Sequence, residues 1–358
     1  MEGKKVFTVY DTNAIKGIAI LMMYIHHNFL SPARWGDCYV DFWPLTQNIT
    51  VAIAVFFKIC VSLFVFLTTY GLTVNYKHIC NDNQKIYKFI INRIYKLLMN
   101  FSFIYILALL YSYLMGLEHY TKTYGNGYIS VFKASIDFLG LAQLFGTPTA
   151  NGTWWYMSLA IMIILVFPIL YKVVKQYGYI AIILSWLLPI AINLPYSHFI
   201  RYLPCMFIGI FFAENDLLVK FRNKFLSVVF RKRVKLVCIL TFLFIVLACL
   251  ASGVRKVIGW KFMPFLNMLV APSIIVYCYV VLKQTYLWSG LEFLGKHSLN
   301  MFLMHTFIRH YWYHDFIYSF KYAWIDTLVL IVITVILSMI IEWLKDITGY
   351  HKLIYYKF

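Results

Sequence analysis

Apolar runs long enough to cross a bilayer recur from one end of this chain to the other, and no other feature limits its folding as much. Leu236–Ala251 reads LVCILTFLFIVLACLA and Thr327–Ile341 reads TLVLIVITVILSMII. A helix rises about 1.5 Å per residue, so such runs and their flanks can cross a hydrocarbon core of about 30 Å. A helix also bonds its own backbone, which a lipid environment demands. Of the 358 residues, 62% are hydrophobic and 13% charged. The charged share is about half that of an ordinary soluble domain. The 31 Phe, 29 Tyr and 10 Trp suit helices with aromatic belts at the membrane surface.

The expected fold is all-α, a polytopic transmembrane helical bundle of about ten spans forming a single membrane domain over residues 1–358. The spans are placed at about 14–30, 50–73, 97–117, 154–171, 178–194, 199–213, 236–252, 264–282, 292–309 and 325–344. The run from Ile129 to Phe145 carries Lys133 and Asp137. It is expected to be one further helix at about 130–146, re-entrant or lying on the outer face, since a crossing there would invert every later loop. The first apolar run lacks a small-x-small exit and is expected to be a retained span.

Net charge is +18, and its distribution sets orientation. Lys77, Lys85, Lys88, Arg93 and Lys96 fall between the second and third spans. Lys220, Arg222, Lys224, Arg231, Lys232, Arg233 and Lys235 fall between the sixth and seventh. With Lys4 and Lys5 at one end and Lys345, Lys352 and Lys357 at the other, the positive-inside rule places both termini in the cytoplasm. A basic balance of this kind does not call for nucleic acid, because no soluble basic domain is present to hold it. The seven cysteines lack metal-ligand spacing, and no metal site is expected.

Against this apolar background a few polar groups stand out. Lys16 and His27 are eleven residues apart in the first run. That is about three turns and about 16 Å, so both project from nearly one face. An ionisable group inside a membrane is a functional candidate by default. His26 is rotated by about 100° from His27 and reads as a packing or interfacial residue. Lys58 and His305 are assigned to the outer halves of the second and ninth spans. Trp154 and Trp155 open the fourth span and Arg201 the sixth. Arg93 and Lys96 lie at the inner end of the third. Each has a plainer reading: a hydrogen-bonded histidine, a snorkelling lysine, an interfacial tryptophan, a charge that sets topology.

Five stretches together resemble the integral-membrane acyltransferases called acyltransferase family three. Lys16 to His27 resembles the first-span signature of a basic residue followed by His eleven positions on. LFVFLTTYGL (Leu63–Leu72), NRIYKLL (Asn92–Leu98), TWWYMSLAIMIILVFPIL (Thr153–Leu170) and LGKHSLNMFLMHTFI (Leu294–Ile308) resemble the later segments in order. The departures are Lys16 and Lys96 where arginine is usual, Thr69 at a usual glycine and Ala160 at a frequent glutamate.

The resemblance implies a membrane-bound O-acyltransferase like those acting on bacterial surface polysaccharides. It implies acetyl-CoA as a cytoplasmic donor and a hydroxyl of a cell-surface glycan or lipid-linked oligosaccharide as acceptor. It implies a bacterial inner or plasma membrane as the location, with the lipid bilayer as its surroundings. It also implies His27 as the catalytic centre assisted by Lys58 or His305. Lys16, Arg93 and Lys96 would hold CoA phosphates, and Trp154, Trp155 and Arg201 would bind the acceptor. The competing expectation is a glycan exporter or flippase without acyl-transfer chemistry.

Overall fold

The computed structural model describes residues 7–354 apart from Tyr196, Ile258 and Trp260. Lys4, Lys5 and Lys357, used in the charge reading, lie outside the described residues. Within the described residues the secondary structure is helical, with one isolated bridge between Asp41 and Tyr322.

Helix α1 (Val9–Phe29) begins at a reciprocal cap: Thr8 accepts from the Asp11 N–H, and the Asp11 carboxylate accepts from the Thr8 N–H at 3.0 Å. Helices α2 (Gln47–Phe57) and α3 (Cys60–Tyr76) form one apolar run broken at Lys58. There the N–H groups of Lys58 and Ile59 reach back three residues, to Val55 and Phe56, at 3.4 and 3.1 Å. The turn is tightened as in a 3-10 helix. Helix α4 (Asn83–Leu114) is capped by Asp82, and the short helices α5 (His119–Tyr124), α6 (Tyr128–Phe138) and α7 (Ala142–Phe145) follow. Then come α8 (Trp155–Tyr177), α9 (Tyr179–Ala191) and α10 (His198–Glu214), from which α11 (Leu217–Leu226) bends away by 60°. Helices α12 (Phe230–Val257), α13 (Met263–Val280) and α14 (Leu287–Thr306) precede a π-helical turn at Phe307–Trp312. The chain ends with α15 (His314–Ile317), α16 (Ala323–Ile347) and α17 (Tyr350–Ile354).

Every one of the ten expected spans falls on a helix, but fewer are long and apolar enough to cross a membrane. Among the described residues six qualify: the α2–α3 run, α4, α8, α12, α13 and α16. Counting α10 with α11 makes seven. Helix α9 has only 13 residues. Helices α1 and α14 have the length, but Asp11, Lys16, His26 and His27 in one and Glu292, Lys296, His297, Asn300 and His305 in the other reduce their apolar character. The helices that depart from a hydrocarbon-spanning composition are thus the two that carry the histidine candidates. The expected helix at 130–146 is two short helices, α6 and α7. Asp137 explains their position: it is 1% exposed and accepts from the Tyr124 hydroxyl at 2.6 Å and the Ala150 N–H at 2.8 Å.

The chain divides into two units. Unit one comprises the chain up to Arg34, Pro44–Ile79 and Phe167–Ser298; unit two comprises Trp35–Trp43, Cys80–Val166 and Leu299–Phe358. In unit one, α1 packs on α2 and α3, and α3 packs most extensively on α10. The α3–α10 approach is close because α10 presents Gly209 to Thr69 and to the backbone of Phe66. Asp11 receives Lys283 in an ion pair of 2.5 Å. In unit two, Lys345 is fully buried, and its ammonium donates to Asn100 on α4 at 2.9 Å and to Glu342 at 2.7 Å. Asn300 of α14 donates to the same Glu342 at 2.7 Å, so three helices share one polar node.

Candidate functional site

Helix α1 holds Lys16 and His27, both half-buried. It is locked in place by a backbone crossing with α14. A side-chain carbon added at Gly17 would overlap the backbone carbonyl of Leu291, and one added at Gly295 would overlap that of Asn13. Lys16 is therefore one residue from a contact that tolerates no sliding. At the far end of α1 the two adjacent histidines differ in their surroundings. His26 is 7% exposed, and its Nδ1 lies 2.7 Å from the carbonyl oxygen of Ala54 on α2. A carbonyl only accepts, so the His26 Nδ1 carries the proton and donates. The His27 ring meets His26 edge-on at 5.1 Å.

Lys58 stands in the break between α2 and α3, four residues beyond Ala54, and is half-buried. Its charge acts on His26, and the charges of Arg201 and Arg255 act on Lys58. Unit one therefore brings together Lys58, Arg201 and the histidine end of α1. Arg255 joins them, although its sequence context, just past the end of an apolar run, suits an ordinary snorkelling arginine. It is 7% exposed and donates from Nη2 to the Asn267 side chain on α13.

Unit two holds the other candidates. His305 is fully buried near the end of α14, with Nδ1 2.7 Å from the Phe302 carbonyl and Nε2 3.0 Å from the Thr306 hydroxyl. The π-helical turn begins two residues later, a distortion that recurs at functional sites. Trp154 is 2% exposed, and its Nε1 donates to the Leu303 carbonyl at 3.1 Å. The rings of Phe101, Tyr105 and Phe307 surround it at 4.8 to 5.6 Å. Asn151 donates to the same Leu303 carbonyl at 3.3 Å. Trp154 thus braces the turn that carries His305, with protein rings around it. Trp155 is half-buried. Arg93 is exposed and Lys96 half-buried, one turn apart on α4, and the Arg93 guanidinium lies 5.3 Å from the Phe89 ring. An apolar cavity of about 690 Å³ lies beside the end of α14, lined by Leu107, Leu110, Met304, Ile308, Trp312 and Leu337 among others. Its walls suit a hydrocarbon chain better than a phosphate.

These features can be compared with known proteins. The family profile described as an acyltransferase domain matches residues 9–343. The chain belongs to acyltransferase family 3. Membership makes acyl transfer its class of reaction, and its apolar helices make it a multi-pass membrane protein. Comparison with curated proteins and with solved structures gives no significant match.

One departure of this family-3 acyltransferase from the pattern it resembles has a structural answer. Thr69 stands at the usual glycine, and its hydroxyl donates within α3 to Val65 and Phe66, at 3.1 Å each. The missing small residue is supplied from across the contact by Gly209. Ala160, at a position where glutamate is frequent, is 7% exposed within α8 and leaves no carboxylate there.

Proposed function

We propose that this family-3 acyltransferase moves an acyl group, acetyl in the first instance, from acyl-CoA to a hydroxyl of a glycan or lipid-linked oligosaccharide in a bacterial cell membrane. The match to the family over residues 9–343 carries this reading, and the Lys16–His27 face of α1 gives it residues. His27 is the general base. Its neutral imidazole takes the proton of the acceptor hydroxyl as the oxygen attacks the thioester carbonyl. The new O–C bond forms, the S–C bond breaks, and the imidazolium returns the proton to the departing CoA sulfur. A variant of the same chemistry passes the acyl group through the His27 ring.

Lys16, about 16 Å back along α1, is the donor-side cation, holding a CoA phosphate by charge-assisted contact. Arg93 and Lys96, one turn apart on α4, offer a second pair of cations to the same chemistry. Lys58 and Arg201 serve the acceptor side. His305 is held by two hydrogen bonds at a turn braced by Trp154, which supports a positioning role.

The test is reconstitution of the full chain in nanodiscs with radiolabelled acetyl-CoA and a lipid-linked oligosaccharide. Base-labile label should appear in the oligosaccharide in proportion to enzyme. Oligosaccharide that crosses the bilayer unmodified, with no use of acetyl-CoA, would refute this function and favour an exporter.

A further inference from the structure

Three cations of unit one and one further histidine lie toward the histidine end of α1. Lys58 sits at the α2–α3 break, His198 and Arg201 form the first turn of α10, and Arg255 lies in the last turn of α12. Lys58, Arg201 and Arg255 act on one another through their charges, and His198 feels both Lys58 and Arg201. His26 feels Lys58, Arg34 and Arg255. A direct bond fixes part of this arrangement: the Ser252 hydroxyl on α12 donates to the Ala52 carbonyl on α2 at 3.2 Å. Arg255 and Lys58, three and six residues further along these two helices, are therefore held on neighbouring elements.

The carboxylates of unit one lie elsewhere. Among the described residues they are Asp11, Glu214, Asp216 and Glu292. Asp11 is fifteen residues before His26, about 22 Å down α1, and is paired with Lys283. Glu214 and Asp216 lie at and just past the opposite end of α10 from Arg201, about 20 Å away along the axis. Glu292 pairs with Lys296 at 3.1 Å. Meanwhile the Arg255 side chain is 93% out of solvent, and its Nε has no acceptor in the protein. Like charges brought together in an apolar unit are unfavourable, and a buried donor without an acceptor adds to the cost. An anion removes both penalties. Arg255 is also pre-aimed, since Asn267 holds its Nη2 and leaves the Nε edge to a ligand.

We propose that Lys58, Arg201 and Arg255 form a site for the phosphate or pyrophosphate group of a lipid-linked acceptor, with Asn267 as the residue that positions Arg255. Three cations match a multiply charged phosphate better than a single carboxylate. The site adjoins the His27 end of α1, whereas the donor-side cation Lys16 lies about 16 Å away along that helix. This inference rests on the acyl-transfer reading for the identity of the ligand, but not for the existence of the anion site.

The experiment uses the full chain in phosphatidylcholine nanodiscs, titrated with inorganic pyrophosphate and read by thermal shift. Pyrophosphate should raise the melting temperature saturably. Arg255→Gln and Lys58→Gln should each weaken that binding by about tenfold or more, as expected for loss of a charge-assisted contact. Arg255→Lys should fall between, and the unliganded melting temperatures show that each variant is folded. The concentration of acetyl-CoA giving half-maximal shift should stay the same in all three variants. With a pyrophosphate-linked oligosaccharide as acceptor, Arg255→Gln should raise the acceptor KM and leave the donor KM unchanged.

Equal pyrophosphate affinity in wild type and Arg255→Gln overturns the site. Parallel loss of acetyl-CoA affinity overturns its assignment to the acceptor. Loss of pyrophosphate binding when phosphatidylglycerol replaces phosphatidylcholine also overturns that assignment, because the ligand is then a bilayer headgroup. Pyrophosphate binding that survives in a chain with no transferase activity would separate this inference from the function proposed above.

Discussion

His26 and Ala54 are joined by a hydrogen bond of 2.7 Å from the imidazole Nδ1 to the backbone carbonyl, and this bond fastens α1 to α2. It commits one of two adjacent histidines to architecture. Replacing His26 with alanine leaves a buried carbonyl without that donor, at a cost of about 1–3 kcal/mol. His26→Ala is expected to lower the melting temperature clearly. His26→Asn, which keeps a short donor, should recover part of the loss. An unchanged melting temperature in His26→Ala would show that the bond does not hold the helices.

The crossing of α1 and α14 should be the least tolerant contact in unit one. Gly295→Val forces a side chain into the backbone of Asn13, and overpacking of this kind costs at least about 2 kcal/mol. Thermal unfolding should show the loss, together with weakened binding of acetyl-CoA, because Lys16 is carried on the displaced helix. A valine variant with wild-type unfolding would mean that the helices separate easily.

The Thr69–Gly209 contact makes a coupled prediction. Gly209→Ala brings a methyl against the Thr69 hydroxyl and the Phe66 carbonyl. Thr69→Gly removes the first clash but not the second. The double variant should therefore be more stable than the sum of the two single losses implies, though still below wild type. Strict additivity would contradict the exchange of small residues across this interface.

Asp137 gives a pH dependence with a definite sign. Burial pushes its carboxyl above the ordinary value of 3.8, and the hydrogen bonds from Tyr124 and Ala150 only partly oppose this. The folded form therefore holds its proton to higher pH than the unfolded chain does. The contribution is full below the unfolded value and is lost as pH rises through the folded one. Proteolysis of the segment 118–153 should become faster across that rise in wild type, and Asp137→Asn should remove the slope. A slope that persists in Asp137→Asn would assign it to another group.

What could be read from the sequence follows from periodicity and depth. All ten expected spans are helical, and the turn of about 100° between neighbouring residues sets His27 apart from His26, which bonds to Ala54. The number of crossings was harder to read, because α1 and α14 combine membrane length with polar side chains, while α9 is apolar but short. Trp154 looks from its position like an interfacial or sugar-facing ring, yet Phe101, Tyr105 and Phe307 enclose it. Arg255 was not legible at all. It follows an apolar run at the end of a span, where a snorkelling arginine is ordinary, and its bond to Asn267 and its burial set it apart.

Lys16 raises the question of whether an ammonium can serve where a guanidinium is usual. Lys16→Ala should raise the KM for acetyl-CoA by about tenfold or more, as loss of a charged phosphate contact implies. Lys16→Arg should keep it at or below the wild-type value, since arginine adds a second parallel bond. An unchanged KM in Lys16→Ala would remove Lys16 from the donor site.

The decisive comparison is between adjacent histidines. Acyl transfer to the oligosaccharide should be measured in His27→Gln and His26→Asn, at equal amounts of folded protein. Loss of a general base lowers turnover by about 10²–10⁴-fold, so His27→Gln should fall by at least that lower bound while its melting temperature stays near wild type. His26→Asn should keep most of its turnover per folded molecule. Wild-type turnover in His27→Gln, or an equal collapse in both variants, would contradict the assignment of the chemistry to His27.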